Sequence, residues 1–191
     1  MVPLMERIIL ASQSPRRKQL LEWAEIEFDI IVRPTEETFP EGLSTAEIPI
    51  YIARKKAMLV EEELSHDHLI LAADTVVVLH GEIIGKPTDR NNAIQILQRL
   101  SGQEHQVITG VVMRKGRKEV SFSDTTTVLF HPLTFEQVTF YVDKYMPYDK
   151  AGAYAIQEWI GVTGIKSING DFYNVMGLPV SRVVHILQNW Q

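Results

Sequence analysis

Asp74 lies inside the run Leu71-Ala72-Ala73-Asp74-Thr75-Val76-Val77-Val78. A carboxylate in such surroundings has to be paired, protonated, metal-bound or carried by its strand to a polar site, because unpaired burial of a charge costs several kcal/mol. A buried salt bridge or a carboxylate bonding loop amides would satisfy the same requirement. A second concentration of chemistry is Leu10-Ala11-Ser12-Gln13-Ser14-Pro15-Arg16-Arg17. Here Ser14 is placed to cap a helix and Pro15 to occupy its first position, where no N–H is needed. The amides of that first turn, with the Ser12 and Ser14 hydroxyls, Arg16 and Arg17, would take a phosphate. Successive helical residues diverge by about 100°, so one arginine is expected to face the ligand. A well-capped helix with two solvated arginines fits the same residues.

Lys55 and Lys56 fall on an expected helix and Lys86 in the corner Gly85-Lys86-Pro87, so two separate elements could bring ammonium groups to a polyphosphate. Each also suits an ordinary solvated lysine, although Gly85 and Pro87 constrain the backbone around Lys86. Glu36 and Glu37 follow an expected strand; a carboxylate there, near Asp74, would suit Mg²⁺ or Mn²⁺ shared with phosphate oxygens. Gln157 ends Asp149-Lys150-Ala151-Gly152-Ala153-Tyr154-Ala155-Ile156, read as a loop and strand. Its amide can accept from the N3–H of uracil or thymine and donate to a neighbouring carbonyl, whereas guanine's adjacent donors prefer a carboxylate. A strand-end amide serving local backbone is the alternative.

Composition narrows the class. A chain of 191 residues suits one domain, 1–191, or two closely packed lobes with a real core. The net charge of −5 argues against a broad nucleic-acid surface. With 0 cysteines there are no disulfides or thiolate metal sites, and His66, His68, His80, His105, His131 and His185 lack zinc-motif spacing. No apolar run approaches the roughly 20 residues of a membrane helix and no leader pattern is present, so a soluble cytoplasmic protein is expected.

Alternating strand and helix signals must position these residues, which argues for an α/β architecture. Strands are expected at Arg7 to Ala11 and Phe28 to Val32, flanking a helix with Leu20, Leu21 and Ala24 at helical spacing. Ser44 to Glu47 has capping-box spacing, but Pro49 would then fall deep, which moves the expected helix start towards Pro49. Leu69 to Leu79 should turn at His80-Gly81 into a short hairpin partner. A helix from about Asp89 to Leu100, paired strands Gln106 to Met113 and Glu119 to Phe130, and a helix capped at Thr134 to Gln137 follow. Asp149 to Gly177 reads as irregular and functional, and a last helix begins near Pro179.

Ser12-Gln13-Ser14-Pro15-Arg16-Arg17, Ala73-Asp74-Thr75-Val76-Val77, Gly85-Lys86-Pro87, Thr109-Gly110-Val111 and Asp149-Lys150-Ala151-Gly152-Ala153-Tyr154 together resemble the Maf family of nucleoside triphosphate pyrophosphatases. The resemblance implies an inosine-triphosphatase-like α/β fold, with a central mixed sheet flanked by helices, two lobes around a cleft and, in many members, a homodimer. It implies cleavage of a nucleoside triphosphate to the monophosphate and pyrophosphate with a divalent cation, Mg²⁺ or Mn²⁺. Asp74 matches the family's catalytic carboxylate and, with Glu37, its metal-holding acids, although members commonly carry Asp-Glu where this chain has Glu36-Glu37. Lys56 and Lys86 match phosphate-binding lysines. Arg16, Thr75 and Gln157 fall at positions linked to substrate choice, where this chain is similar to the dTTP/UTP branch. Modified pyrimidine triphosphates are a further expected substrate class. The other implied class is a nucleotide- or nucleic-acid-binding regulator of septum formation and cell division.

Overall fold

The computed structural model describes residues 7–64 and 67–190; His66 lies outside them. Among the described residues seven strands form one mixed sheet, in the order β2-β1-β3-β5-β6-β7 with β4 paired to β3. The chain divides into two compact units. One comprises residues 7–74, 109–124 and 177–190, and the other residues 75–108 and 125–176.

The first unit begins with β1 (Ile8–Leu10), which pairs in parallel with β2 (Phe28–Ile30) and with the first residues of β3 (Ile70–Leu79). Parallel neighbours need helical crossovers. α1 (Pro15–Trp23) joins β1 to β2, and α2 (Glu47–Glu61) lies between β2 and β3. Ile9, Ala11, Ile70, Ala72 and Val112 from strands and Ala53, Ala57 and Val60 from α2 make this unit's core. The small residues on α2 let that helix approach the sheet closely. Gly110 carries the approach further, since a Cβ at that position would overlap the Pro49–Ile50 peptide. α7 (Val180–Gln188) closes the unit with Val183 and Leu187 buried.

α2 starts earlier than the Pro49 argument places it. Pro49 is the third residue of the helix, within the first turn, where a missing N–H costs no intrahelical bond. Glu47 Oε2 also reaches back to accept from the Ser44 N–H at 2.8 Å.

In the second unit the rest of β3 turns through His80 and Gly81, both at positive φ (51° and 83°), into antiparallel β4 (Glu82–Ile84). That is the backbone a two-residue hairpin requires. α3 (Arg90–Leu100) is capped by Asp89, and α4 (Phe135–Tyr145) carries the full Thr134–Gln137 capping box. β5 (Glu104–Lys115) and β6 (Lys118–Phe130) are neighbours in the sheet. The core gathers Val77, Ile84, Leu97, Val107, Phe130, Tyr141, Tyr154 and Ile160.

The stretch read as irregular is more ordered than its glycines suggest. It contains a single 3-10 turn (Ala151–Ala153), α5 (Trp159–Gly164), β7 (Ile165–Asn169) antiparallel to β6, and α6 (Phe172–Met176). Each element is too short to show a period. No strand precedes Gln157, because Gly152 (φ 70°) and Ala153 (φ 58°) take left-handed backbone and break any extended run. No helix among the described residues is long and apolar enough to cross a membrane.

Candidate active site

The first unit assembles most of the expected residues. β1 delivers the chain to Ser12 and Ser14, and Ser14 Oγ accepts from the Arg17 N–H at 3.5 Å, with Pro15 first in α1. The two arginines then diverge. Arg17 is buried: its Nε donates to the Gly177 carbonyl at 2.7 Å and a terminal nitrogen to Ser12 Oγ at 3.0 Å. Arg16 is half-buried. Burial pushes the Arg17 guanidinium down to about 10, while Asp74 and Glu37 pull it back up and Arg16 adds to the fall. Arg17 therefore stays charged at neutral pH within electrostatic reach of both carboxylates.

α2 divides its adjacent lysines in the same way. Lys55 Nζ donates to the Glu36 carbonyl at 2.9 Å and to the Thr38 carbonyl at 3.4 Å, holding the loop that carries Glu37. Lys56 Nζ turns inward, 2.7 Å from Asp74 Oδ1 and 3.0 Å from Glu37 Oε1. Asp74 is 7% exposed near the middle of β3. Burial pushes its carboxyl upward from the ordinary aspartate value, opposed by the charges of Lys56 and Arg17 and reinforced by Glu37. Two carboxylates thus share one ammonium in a half-dry site, with Arg17 and the amino end of α1 in the same unit. The arrangement sets cations where a polyanion could be met and holds a carboxylate whose basicity is raised, the two properties that water attack on a phosphate ester or anhydride needs.

The carboxylates also fit a hard divalent cation. Asp74 and Glu37 already converge on one positive charge at hydrogen-bond distance, and both offer oxygen donors. No group of three or more His, Cys, Asp or Glu side chains that could hold a metal occurs among the described residues. The remaining ligands would be water and phosphate oxygens, as is usual for Mg²⁺.

Thr75, Lys86 and Gln157 belong to the second unit. Thr75 is half-buried on β3. Exposed Lys86 follows β4, and the corner that carries it is tied to the 3-10 turn by the Gly152 N–H donating to the Gly85 carbonyl at 3.1 Å. Gly152 packs on Val77, whose Cγ2 would lie 2.9 Å from a Cβ there. Gln157 is exposed in a turn closed by the Glu158 N–H donating to the Ala155 carbonyl at 3.1 Å. Sequence reasoning missed three residues that fix the expected ones, Gly177 at Arg17 and the pair Tyr141 and Glu158 at the Gln157 turn. Gly177 offers only a carbonyl, which no side-chain pattern announces. Tyr141 and Glu158, which bond to each other beside Gln157, come from elements 17 residues apart in sequence.

With this arrangement of Ser12, Arg17, Lys56 and Asp74 described, similarity to known proteins decides the lineage. Residues 7–190 match the family described as Maf-like protein. The chain belongs to the Maf family. This Maf chain is 50% identical over 181 residues to a dTTP/UTP pyrophosphatase of Cytophaga hutchinsonii, covering 95% of the chain and 83% of that relative. It is 45% identical over 185 residues to the dTTP/UTP pyrophosphatase of Parabacteroides distasonis, covering 96% of each. Among solved structures, the Maf chain resembles the Ham1 protein of Staphylococcus aureus, with a TM-score of 0.54 at 17% identity over 97% of this chain and 100% of that one. A HAM1 protein from Coxiella burnetii gives a TM-score of 0.52 at 16% identity, again over 97% and 100%. At that identity the likeness speaks for the fold, which is the α/β mixed sheet expected from the sequence.

Proposed function

We propose that this chain, residues 1–191 acting as one domain, hydrolyses dTTP and UTP to the monophosphate and pyrophosphate. The observation that carries the reading is Asp74: a buried carboxylate with raised basicity, bonded to Lys56, in a chain 45–50% identical to proteins named for that reaction. Asp74 accepts a hydrogen bond from the attacking water and takes its proton as the new oxygen–phosphorus bond forms at the α phosphorus. The bond from that phosphorus to the bridging oxygen breaks, and pyrophosphate leaves with the electron pair. Ser12, Ser14 and Arg16 at the start of α1, together with Lys56, hold phosphate oxygens, and the Arg17 charge behind them helps to balance the charge that develops. Arg16 is the arginine of the pair offered to the incoming anion, because Arg17 is turned inward to Ser12 and Gly177.

Glu37 and Asp74 would hold a Mg²⁺ or Mn²⁺ ion, which supplies charge neutralisation on the triphosphate when bound. Lys86 contributes a further phosphate contact, and Thr75 and Gln157 read the pyrimidine base; family resemblance and the hydrogen-bond logic of an amide support these roles. A homodimer and a cytoplasmic location complete the proposal, with no general affinity for nucleic acid given the net charge of −5. The test is incubation of the purified protein and Mg²⁺ or Mn²⁺ with dTTP, UTP, CTP, GTP and 7-methylguanosine triphosphate, measuring monophosphate and pyrophosphate. Selective turnover of dTTP and UTP is expected. Turnover of none, or preference for a purine, would overturn the reading.

A further inference from the structure

The turn Ala155–Glu158 is held far more firmly than an exposed glutamine requires. Ala155 and Ile156 are buried at 4% and 3% exposure, and only Gln157 among the four is exposed. One phenol fastens both ends. Tyr141 on α4 is fully buried; its hydroxyl accepts from the Ala155 N–H at 3.2 Å and donates to Glu158 Oε2. The Glu158 N–H closes the turn on the Ala155 carbonyl at 3.1 Å. The other carboxylate oxygen, Oε1, faces Lys150 Nζ at 3.6 Å, and that buried ammonium is 2.7 Å from Asp149 Oδ1. Glu158 is also the N-cap residue of α5, so the turn's last residue is fixed by a helix as well. On the remaining side the Ile156 carbonyl presses on Gly161, where any Cβ would overlap it.

We infer that Tyr141 and Glu158 are positioning residues for substrate choice: they lock the turn so that the Gln157 amide is presented in one orientation to the base. A solvated surface amide gains nothing from such immobilisation, whereas an amide that discriminates bases by donor and acceptor pattern depends on a fixed direction. The inference rests on Gln157 being the base-reading residue. The tyrosine ring packs independently of this task, stacked on Tyr145 with centroids 4.9 Å apart, so removing the hydroxyl alone leaves the core filled.

The experiment compares kcat/KM for dTTP and dGTP in the wild type, Tyr141→Phe, Gln157→Ala and the double variant, with melting temperature as the check on folding. Tyr141→Phe should lower the dTTP/dGTP ratio by about tenfold, the scale of one or two lost hydrogen bonds. In the Gln157→Ala background it should lower it no further. Glu158→Gln, which keeps an acceptor for the phenol, should retain most of the ratio, and Glu158→Ala should lose it. Amide exchange at Ala155 should quicken in Tyr141→Phe. A ratio unchanged in Tyr141→Phe but lowered in Gln157→Ala overturns the positioning role and leaves the base-reading role standing. An equal loss for both substrates in Tyr141→Phe also overturns it, as a purely structural effect. A ratio unchanged in Gln157→Ala overturns base reading, and the positioning role falls with it.

Discussion

The Lys56 ammonium lies 2.7 Å from Asp74 Oδ1, with side-chain exposures of 17% and 10%. A pair this dry stabilises mainly by contrast, because Asp74 without Lys56 would be a buried charge without its nearest compensation, whereas Lys56 without Asp74 keeps Glu37 at 3.0 Å. Lys56→Met should therefore destabilise the protein by about 3 kcal/mol, and Lys56→Met with Asp74→Asn should recover much of that loss. Denaturant melts of the two single variants and the double variant in EDTA check the coupling. Strict additivity would refute it.

Asp74→Asn separates chemistry from stability. Loss of the proposed general base should lower kcat/KM for dTTP by about 10³-fold. Burial raises the Asp74 carboxyl above its unfolded value, so the stability attached to this group is present at low pH and lost as pH rises through the folded value. At neutral pH the charged form is a cost that asparagine removes. The melting temperature of Asp74→Asn should accordingly equal or exceed that of the wild type.

Gln157→Glu reverses one half of the amide's hydrogen-bond pattern and offers guanine the carboxylate that its adjacent donors prefer. Relative kcat/KM for dTTP over dGTP should fall by at least about tenfold, a change of roughly 1.4 kcal/mol in discrimination.

Gly110→Ala tests the seat of α2. The added methyl meets the Pro49–Ile50 peptide, and backbone cannot move aside as a flexible side chain can. A loss of about 1–3 kcal/mol is expected, together with weaker turnover because Lys56 rides on the displaced helix. Normal stability and normal kcat/KM would show that α2 tolerates the shift.

His105 sets an acid sensitivity of its own within the second unit. It is 2% exposed, shares a hydrogen bond with the Tyr154 hydroxyl at 2.8 Å, and burial pushes it down to about 4. The folded value lies below the unfolded one of 6.5, so the unfolded chain binds the extra proton. Stability should fall as pH drops from about 6.5 to about 4, by up to about 3 kcal/mol. In His105→Gln, melting temperature plotted against pH should be flatter across that window.

Where one local signal decides, the sequence can be read directly. The Ser14-Pro15 start of α1, the Thr134–Gln137 box, the His80-Gly81 hairpin and the helix after Pro179 all occur where such signals place them. Asp74 is legible for the same reason: a charge among valines needs a partner. What is not legible depends on two segments meeting. Pro49 argues for a later helix start until its place in the first turn makes its missing N–H harmless. β7 pairs with β6 from a distance of many residues and leaves no period of its own. Adjacent Arg16 and Arg17, or Lys55 and Lys56, differ only by a rotation about the helix, so which one turns inward is settled by Gly177, Glu37 and Asp74, all remote in sequence.

The bond from Arg17 to the Gly177 carbonyl spans 160 residues of chain. It fastens the segment leading into α7 to the turn that starts α1, so the last helix, anchored by Val183 and Leu187, stands as a strut behind the proposed triphosphate seat. If the proposed seat is right, disturbing α7 is expected to alter substrate binding from a point remote in sequence. For any such derivative KM, rather than yield or solubility, is the quantity that reports whether the strut still bears on Arg17.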